Sequence, residues 1–202
     1  RIGYEDLRSA GIDPATIDPR FIRLYGNGGG MLPESNAKSR VDDLLENSIY
    51  VSGEEDGRFD PGDYILFYGQ SPDTWTFTKT DQLFHHAKNA YSDYTFYFLN
   101  FDQGLGKRIG TESSVSDPAT LTATTFNDYA FYERDDKNLA KTGREWWDQQ
   151  FFDITTVRNY AFSFPNIDGA QKVTLTCNLA ARSTVGSSAF TIAAQGNSLL
   201  TV

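Results

Sequence analysis

Short runs of strand-type residues, separated by glycine, asparagine and proline, fill most of this chain. Large apolar and small polar residues alternate over 74–78, 160–164 and 173–179, and a period of two is typical of a strand with one buried face. Aromatic residues, which fit pleated sheets well, make up 14% of the sequence. These features predict a mainly β fold built from antiparallel β-sandwich-like modules.

Two further runs, 64–68 and 94–98, are apolar at both odd and even positions, which predicts strands that are covered on both faces. One or two short helices complete the predicted fold. The first spans 4–11 and ends at Gly11, a residue that favours a helix C terminus. The second is a helical turn over 39–47, which begins with a serine and an aspartate at capping-box spacing.

The sequence has 202 residues, a length that is typical of one large domain or two small ones. Residues 113–125 are rich in serine, threonine and alanine and poor in large apolar groups, as a linker is. We therefore expect an N-terminal β-rich domain over 1–112, a linker over 113–125 and a β-sandwich domain over 126–202. Because 199–202 reads as an unfinished strand, we expect the second domain to be truncated at its C terminus.

The charge balance excludes two classes of partner. The chain carries 18 Lys and Arg against 27 Asp and Glu, for a net charge of -9. Nucleic-acid binding needs a basic surface that neutralises phosphates, and anionic membrane surfaces repel an acidic chain in the same way. The sequence also has no apolar run near the roughly 20 residues that a membrane-spanning helix needs. We expect neither nucleic-acid binding nor direct membrane insertion.

Glycine-rich segments at 26–30 and 104–106 invite a phosphate-loop interpretation. A P-loop requires Gly-Lys-Ser/Thr after its glycines, whereas Gly30 is followed by Met31. The dinucleotide-binding fingerprint fails as well, because its third glycine is missing in both segments. We interpret both segments as tight turns in which glycine supplies a positive φ.

No nucleophile or histidine pair with a catalytic pattern is evident. Cys177 shares its strand parity with Leu175 and Leu179, which predicts a buried structural cysteine instead of a reactive thiolate. His85 and His86 are adjacent, so their rings point apart and form a poor chelating pair. We predict no catalytic residue, and we expect that this chain is not itself an enzyme.

An acidic loop over 52–63 partly matches a twelve-residue calcium-binding loop. The aligned oxygen ligands are Glu54, Asp56, Asp60 and Asp63. Calcium takes six or more oxygen ligands, so this set needs water or other groups to complete it. The alternative is an acidic β-turn held by Asx hydrogen bonds. Calcium is the one cofactor for which the sequence offers a candidate site.

Trp146 and Trp147 are adjacent, so in an extended segment one ring points inward and the other outward. An exposed aromatic ring is a candidate contact surface, and the amphipathic rings of tryptophan and tyrosine also suit stacking against sugars. Core packing is the alternative role for both rings. The pair is the candidate binding surface of this chain.

Several segments, taken in order, resemble the N-terminal region of gingipain-like cysteine peptidases. The likeness is closest to the sortase family of type IX secretion in Bacteroidetes, the PorU family. It rests on YEDL at 4–7 with AGI at 10–12, IRLYGNGG at 22–29, DGRFDPGDYILFYG at 56–69 and GREWW at 143–147. The last of these is similar to a Gly-Arg-x-Trp-Phe motif, with Trp147 in place of the Phe.

The resemblance implies a surface-anchored sortase-type protease that removes C-terminal secretion signals from cargo and passes the cargo to a lipopolysaccharide acceptor. The family's catalytic His and Cys belong to a caspase-like domain further along the polypeptide, and no position here matches that motif. We therefore expect an exported, non-catalytic N-terminal region at the bacterial cell surface, associated with the outer membrane. Its partner would be an outer-membrane protein of the secretion system or the rest of its own chain.

A second interpretation stays open. In this alternative, the chain is a glycan-binding or protein-binding module of another secreted bacterial surface protein that shares this N-terminal region. The two interpretations differ in whether a caspase-like domain follows, and in whether Trp146 and Trp147 bind polysaccharide.

Overall fold

The computed structural model describes residues 1–141, 143 and 145–202. The predicted mainly β class is confirmed, because strands in small antiparallel sheets dominate and helices are few. The strands are β1 Ile2–Gly3, β2 Arg23–Tyr25, β3 Glu46–Asn47, β4 Tyr50–Ser52, β5 Tyr64–Leu66, β6 Thr74–Thr78, β7 Leu83–Ala87, β8 Phe98–Asn100, β9 Thr191–Ala194 and β10 Asn197–Thr201.

Four antiparallel sheets contain these strands. Two sheets have three strands each, in the orders β1-β5-β4 and β3-β2-β8, and two are the hairpins β6-β7 and β9-β10. In the second hairpin, Gln195 and Gly196 both have positive φ angles, of 50° and 81°. Two central residues with positive φ are the mark of a type I′ turn, whose twist matches that of the flanking strands.

The helix predicted at 4–11 is present as α1, Tyr4–Ser9. Its first turn is closed by Asp6, whose carboxylate accepts a hydrogen bond of 2.7 Å from the backbone N–H of Gly3. Gly11 follows with a φ of 81°, the left-handed conformation that ends helices. Two 3₁₀ turns come next, at Pro14–Thr16 and Pro19–Phe21, each begun by an aspartate and a proline.

The helical turn predicted at 39–47 is wrong. The segment consists of bends that lead into β3. Its backbone groups bond to the glycine-rich loop instead: Leu45 donates its N–H to Asn27 Oδ1 at 2.9 Å, and its carbonyl accepts the N–H of Gly26 at 2.9 Å. The local capping pattern therefore does not form a helix here, because the backbone bonds to a distant segment instead.

Three predicted strands are shorter than expected or absent. The run 94–98 contributes Phe98 alone to β8, and 160–164 and 173–179 form no strand in the described part of the chain. Alternation of apolar and polar residues shows which side chains share a face. A strand also needs a hydrogen-bonded neighbour, and sequence alternation does not supply one.

The buried apolar core lies within residues 7–65. Its side chains come from α1, the 3₁₀ region, β2, β4, β5 and the acidic loop, where Phe59 is completely buried. The core residues are Leu7, Ile17, Ile22, Leu24, Ile49, Val51, Phe59 and Ile65. No helix in the described residues is long and apolar enough to cross a membrane.

The chain divides into two compact units, Arg1–Phe162 and Ser163–Val202. The first unit holds β1 to β8 with the buried core, and the second holds the β9–β10 hairpin. The domain boundaries predicted from sequence, with a linker at 113–125, stay a prediction.

Arg108 connects three segments of the first unit at the edge of its core. Its guanidinium donates to Glu54 Oε2 at 2.7 Å and to the backbone carbonyls of Pro19, Arg20 and Ile22 at 2.8, 3.0 and 3.1 Å. Five N–H groups in a rigid fork allow one arginine to serve several acceptors at once. The segment before β2, the acidic loop and the 106–109 segment are thereby tied together.

Gly106 lets its segment approach β2 closely, so substitution there should be costly. A Cβ at Gly106 would overlap the carbonyl oxygen of Ile22, whereas nothing lies within 4 Å of a Cβ at Gly110. We expect Gly106→Ala to lower the free energy of unfolding by about 1–3 kcal/mol through overpacking, and Gly110→Ala to leave it nearly unchanged. Urea unfolding of the two variants checks this, and equal effects would contradict it.

Candidate functional site

The acidic loop is shaped by glycines and by hydrogen bonds from its own backbone. Gly53 and Gly57, with φ angles of 79° and 77°, flank a 3₁₀ turn at Glu54–Asp56. Asp56 Oδ1 accepts the N–H of Arg58 at 2.9 Å, and Asp63 Oδ2 accepts the N–H of Asp60 at 2.8 Å. Both are side-chain-to-backbone bonds of the kind that holds an acidic turn.

The predicted calcium ligands point to different partners. Glu54 forms an ion pair of 2.7 Å with Arg108, and Asp60 lies 3.9 Å from Arg58. Within the described residues, no three His, Cys, Asp or Glu side chains are placed to hold a metal ion. The contacts match the acidic-turn alternative, and calcium binding stays a prediction for Glu54, Asp56, Asp60 and Asp63.

The calcium hypothesis predicts that Ca²⁺ raises the midpoint of thermal unfolding relative to a chelator, since a ligand that binds the native state stabilises it. Asp56→Ala should abolish this response, whereas Asp117→Ala, outside the loop, should keep it. An unchanged midpoint in the native protein would remove the calcium hypothesis.

Trp146 and Trp147 differ in exposure, as adjacent rings do in an extended segment. Trp146 is 38% exposed. Trp147 is less exposed, and its backbone pairs with Lys137 through two hydrogen bonds of 2.8 Å. Trp146 is therefore the better placed of the two for an outside contact, and its binding role stays a prediction. Arg144 of the same motif lies outside the described residues.

The prediction that Cys177 is buried is wrong, because the cysteine is exposed. Strand parity correctly predicted that Cys177 lies beside Leu175 and Leu179, but the face that they share is exposed. These residues line a groove of about 340 Å³ together with side chains of the β9–β10 hairpin. The lining is Leu175, Cys177, Leu179, Ile192, Leu199, Leu200 and Val202.

This C-terminal groove, as defined by those seven residues, is strongly apolar. Leu199, Leu200 and Val202 are 58%, 53% and 60% exposed. A register shift between Ser198 and Leu200 marks a bulge in β10, which explains how two consecutive leucines reach the same groove. The sequence from 183 to 202 carries no charged residue.

The two histidines have separate partners. His85 Nε2 lies 2.8 Å from Asp81 Oδ2 within the turn of the first hairpin. His86 Nδ1 lies 2.9 Å from Glu133 Oε2, and its Nε2 lies 3.9 Å from Asp73 Oδ2. The His86 side chain is 7% exposed, whereas that of His85 is 51% exposed.

His86 sits within aromatic rings as well as carboxylates. Phe131 stacks on the imidazole with ring centroids 3.5 Å apart, and the Trp75 ring lies at 4.8 Å. We call Asp73, Trp75, His86, Phe131 and Glu133 the His86 cluster. It joins the β6–β7 hairpin to a segment almost fifty positions further along, so no local sequence signal marked it. The register of β6 against β7, which sets Trp75 opposite His86, is the part that a hairpin prediction could have supplied.

Comparison of the chain with family models, curated proteins and solved structures finds no match. The motifs at 4–12, 22–29, 56–69 and 143–147 thus remain the basis of the resemblance to gingipain-like sortases.

Proposed function

We propose that this chain is the non-catalytic N-terminal region of a surface-associated gingipain-like sortase or peptidase of type IX secretion. Its role is to position the protease or to contact partners. The motif resemblance supports the family. The C-terminal groove is the observation that carries the contact role.

An exposed apolar groove is costly to leave in water, and surfaces of this kind mark interaction sites. Three of the leucines that line it, Leu175, Leu199 and Leu200, are more than half exposed, at 52%, 58% and 53%. The neighbouring strands β9 and β10 pair with each other and with no third strand among the described residues. Each therefore presents a free row of backbone N–H and C=O groups.

A free strand edge beside an apolar groove suits an extended segment of a protein partner. Backbone groups pair with the edge, and alternate side chains enter the groove, which is the arrangement of β-strand addition. The lining is uncharged, so apolar side chains supply the contact. In the proposed role, this segment belongs to an outer-membrane protein of the secretion system or to the rest of the same polypeptide.

The proposal makes a prediction about the parent gene and the groove. The reading frame beyond Val202 should encode a caspase-like domain with a catalytic His and Cys.

In cells that make the full-length protein, Leu200→Asp should reduce the amount of cargo that loses its C-terminal signal, because a charge in the groove opposes apolar docking. Immunoblots of cargo forms measure this.

Val185→Asp is the matched control, since Val185 is 91% exposed and does not line the groove. It should process cargo as the native protein does. A gene without the caspase-like domain would refute the family assignment. Normal processing by Leu200→Asp, at equal protein level, would refute the docking role.

The glycan-binding alternative has one observation in its favour, the 38% exposure of Trp146. It predicts saturable binding of a bacterial polysaccharide that Trp146→Ala abolishes and Trp147→Ala weakens less, because Trp147 is the less exposed ring. Isothermal titration measures both. Val185→Asp serves again as the control. Absence of binding across a panel of polysaccharides would refute the glycan-binding alternative, and the docking proposal would then be the one that remains.

A further inference from the structure

The His86 cluster has the arrangement of a proton-sensitive contact. Glu133 accepts a hydrogen bond from His86 Nδ1 at 2.9 Å. A carboxylate has no hydrogen to give, so in the neutral ring Nδ1 carries the hydrogen and Nε2 is a bare acceptor. That Nε2 is buried, has no hydrogen-bond partner among the described residues, and lies 3.9 Å from the carboxylate of Asp73.

A neutral His86 is therefore poorly matched to its surroundings. A buried polar atom without a partner costs free energy, and here it faces a second acceptor. Protonation puts a hydrogen on Nε2 and gives the ring a positive charge between two carboxylates, with the Asp73 carboxylate 3.9 Å from Nε2. The uptake of one proton therefore replaces the repulsion between Nε2 and Asp73 by attraction.

The wider neighbourhood has an excess of negative charge. The charged groups around the ring and its immediate partners are Asp73, Lys88, Asp93, Glu133, Arg134, Asp135 and Asp136. Burial raises the pKa of Asp135, and repulsion from Glu133 adds to this effect, although Lys88 opposes it. A positive imidazole beside Glu133 offsets part of this negative charge.

The cluster also joins two parts of the first unit. His86, Asp73 and Trp75 belong to the β6–β7 hairpin or its entry, whereas Phe131 and Glu133 belong to the segment 129–133. Further ring contacts connect Tyr129 to the hairpin, with its centroid 4.2 Å from that of Trp75. When the segment leaves the hairpin, the imidazole loses Glu133 and the stacking of Phe131.

We propose that the His86 cluster is a pH-sensitive clasp that holds segment 129–133 on the β6–β7 hairpin when His86 is protonated and loosens when it is neutral. Glu133 lies next to the ring in the closed form, so the attraction between a positive ring and this carboxylate is present only while the clasp is closed. Acidification through the range in which imidazoles titrate therefore favours closure. The clasp does not depend on the proposed docking role, which concerns the C-terminal groove.

Hydrogen exchange of segment 129–133, corrected for intrinsic exchange at each pH, tests the clasp. From about pH 7.5 to about pH 5.5, where imidazoles take up a proton, amide protection should rise. Linkage to one proton limits the rise to about tenfold per pH unit. Amides of β2, within the core, report on the whole unit and serve as the internal reference.

The two histidines provide a matched pair of variants. His86→Phe keeps a ring to stack on Phe131 but cannot titrate, so its protection should no longer vary over this pH range. His85→Gln, at the exposed histidine, should retain the full response. Glu133→Gln keeps an acceptor for Nδ1 but removes one of the two charges, so it should show a smaller response.

Two further measurements keep the test decisive. The chain has two histidines, so the NMR signals of their rings can be assigned with His85→Gln, and the His86 ring should titrate with the same midpoint as the protection.

Asp135→Asn should retain the response. If it does not, Asp135 is the sensor and the proposal is wrong. It is equally overturned if the native protein shows no pH response, or if His86→Phe responds as the native protein does. If His86→Phe does not fold, Glu133→Gln and the ring titration decide.

Discussion

The hydrogen bonds of the Arg108 guanidinium connect three distant segments of the first unit. Its hydrogen bonds join residues that lie 54 to 89 positions apart in the chain. Three of its acceptors are backbone carbonyls around a 3₁₀ turn, and two of them, those of Pro19 and Arg20, also accept the backbone N–H groups of Ile22 and Gly106. The fourth is Glu54, which gives the acidic loop a fixed position. A single side chain thus adds hydrogen bonds to three backbone carbonyls at the edge of the core. It also explains why one of the predicted calcium ligands forms an ion pair.

The structure separates into regions held by different forces. Buried apolar side chains stabilise residues 7–65, whereas the contact of 129–133 with the first hairpin relies on ring contacts and on the hydrogen bond between His86 and Glu133. Ring contacts contribute about 0.5–1.5 kcal/mol each beyond their buried area. Among the described residues, four ring contacts and one hydrogen bond join this segment to the hairpin, and none of the buried core side chains lies in it, so its opening leaves the core intact.

The sequence predicted local features well where the local chain decides them. The α1 helix and the β6 strand follow from spacing and residue type, and Gly28, Gly30 and Gly104 have positive φ as expected. The predictions failed where contacts with residues distant in the sequence determine the local structure. Leu45 bonds to Asn27 instead of continuing a helix. Cys177 lies on the predicted face, but burial of that face needs a covering layer that parity does not reveal.

The same limit applies to the candidate sites. Spacing within 52–63 placed four carboxylates in one loop, but the direction of each depends on Arg108 and on backbone N–H groups that spacing does not show. The reverse holds for His86. Because His86 is adjacent to His85, the sequence indicated a poor chelating pair and no special role for either ring. The environment of His86 comes in part from residues 129–133, which the local sequence does not show. In an acidic chain with a net charge of -9 and two histidines, His86 is the imidazole that lies buried between carboxylates. Tertiary contact, and not local sequence, gives that histidine its chemistry.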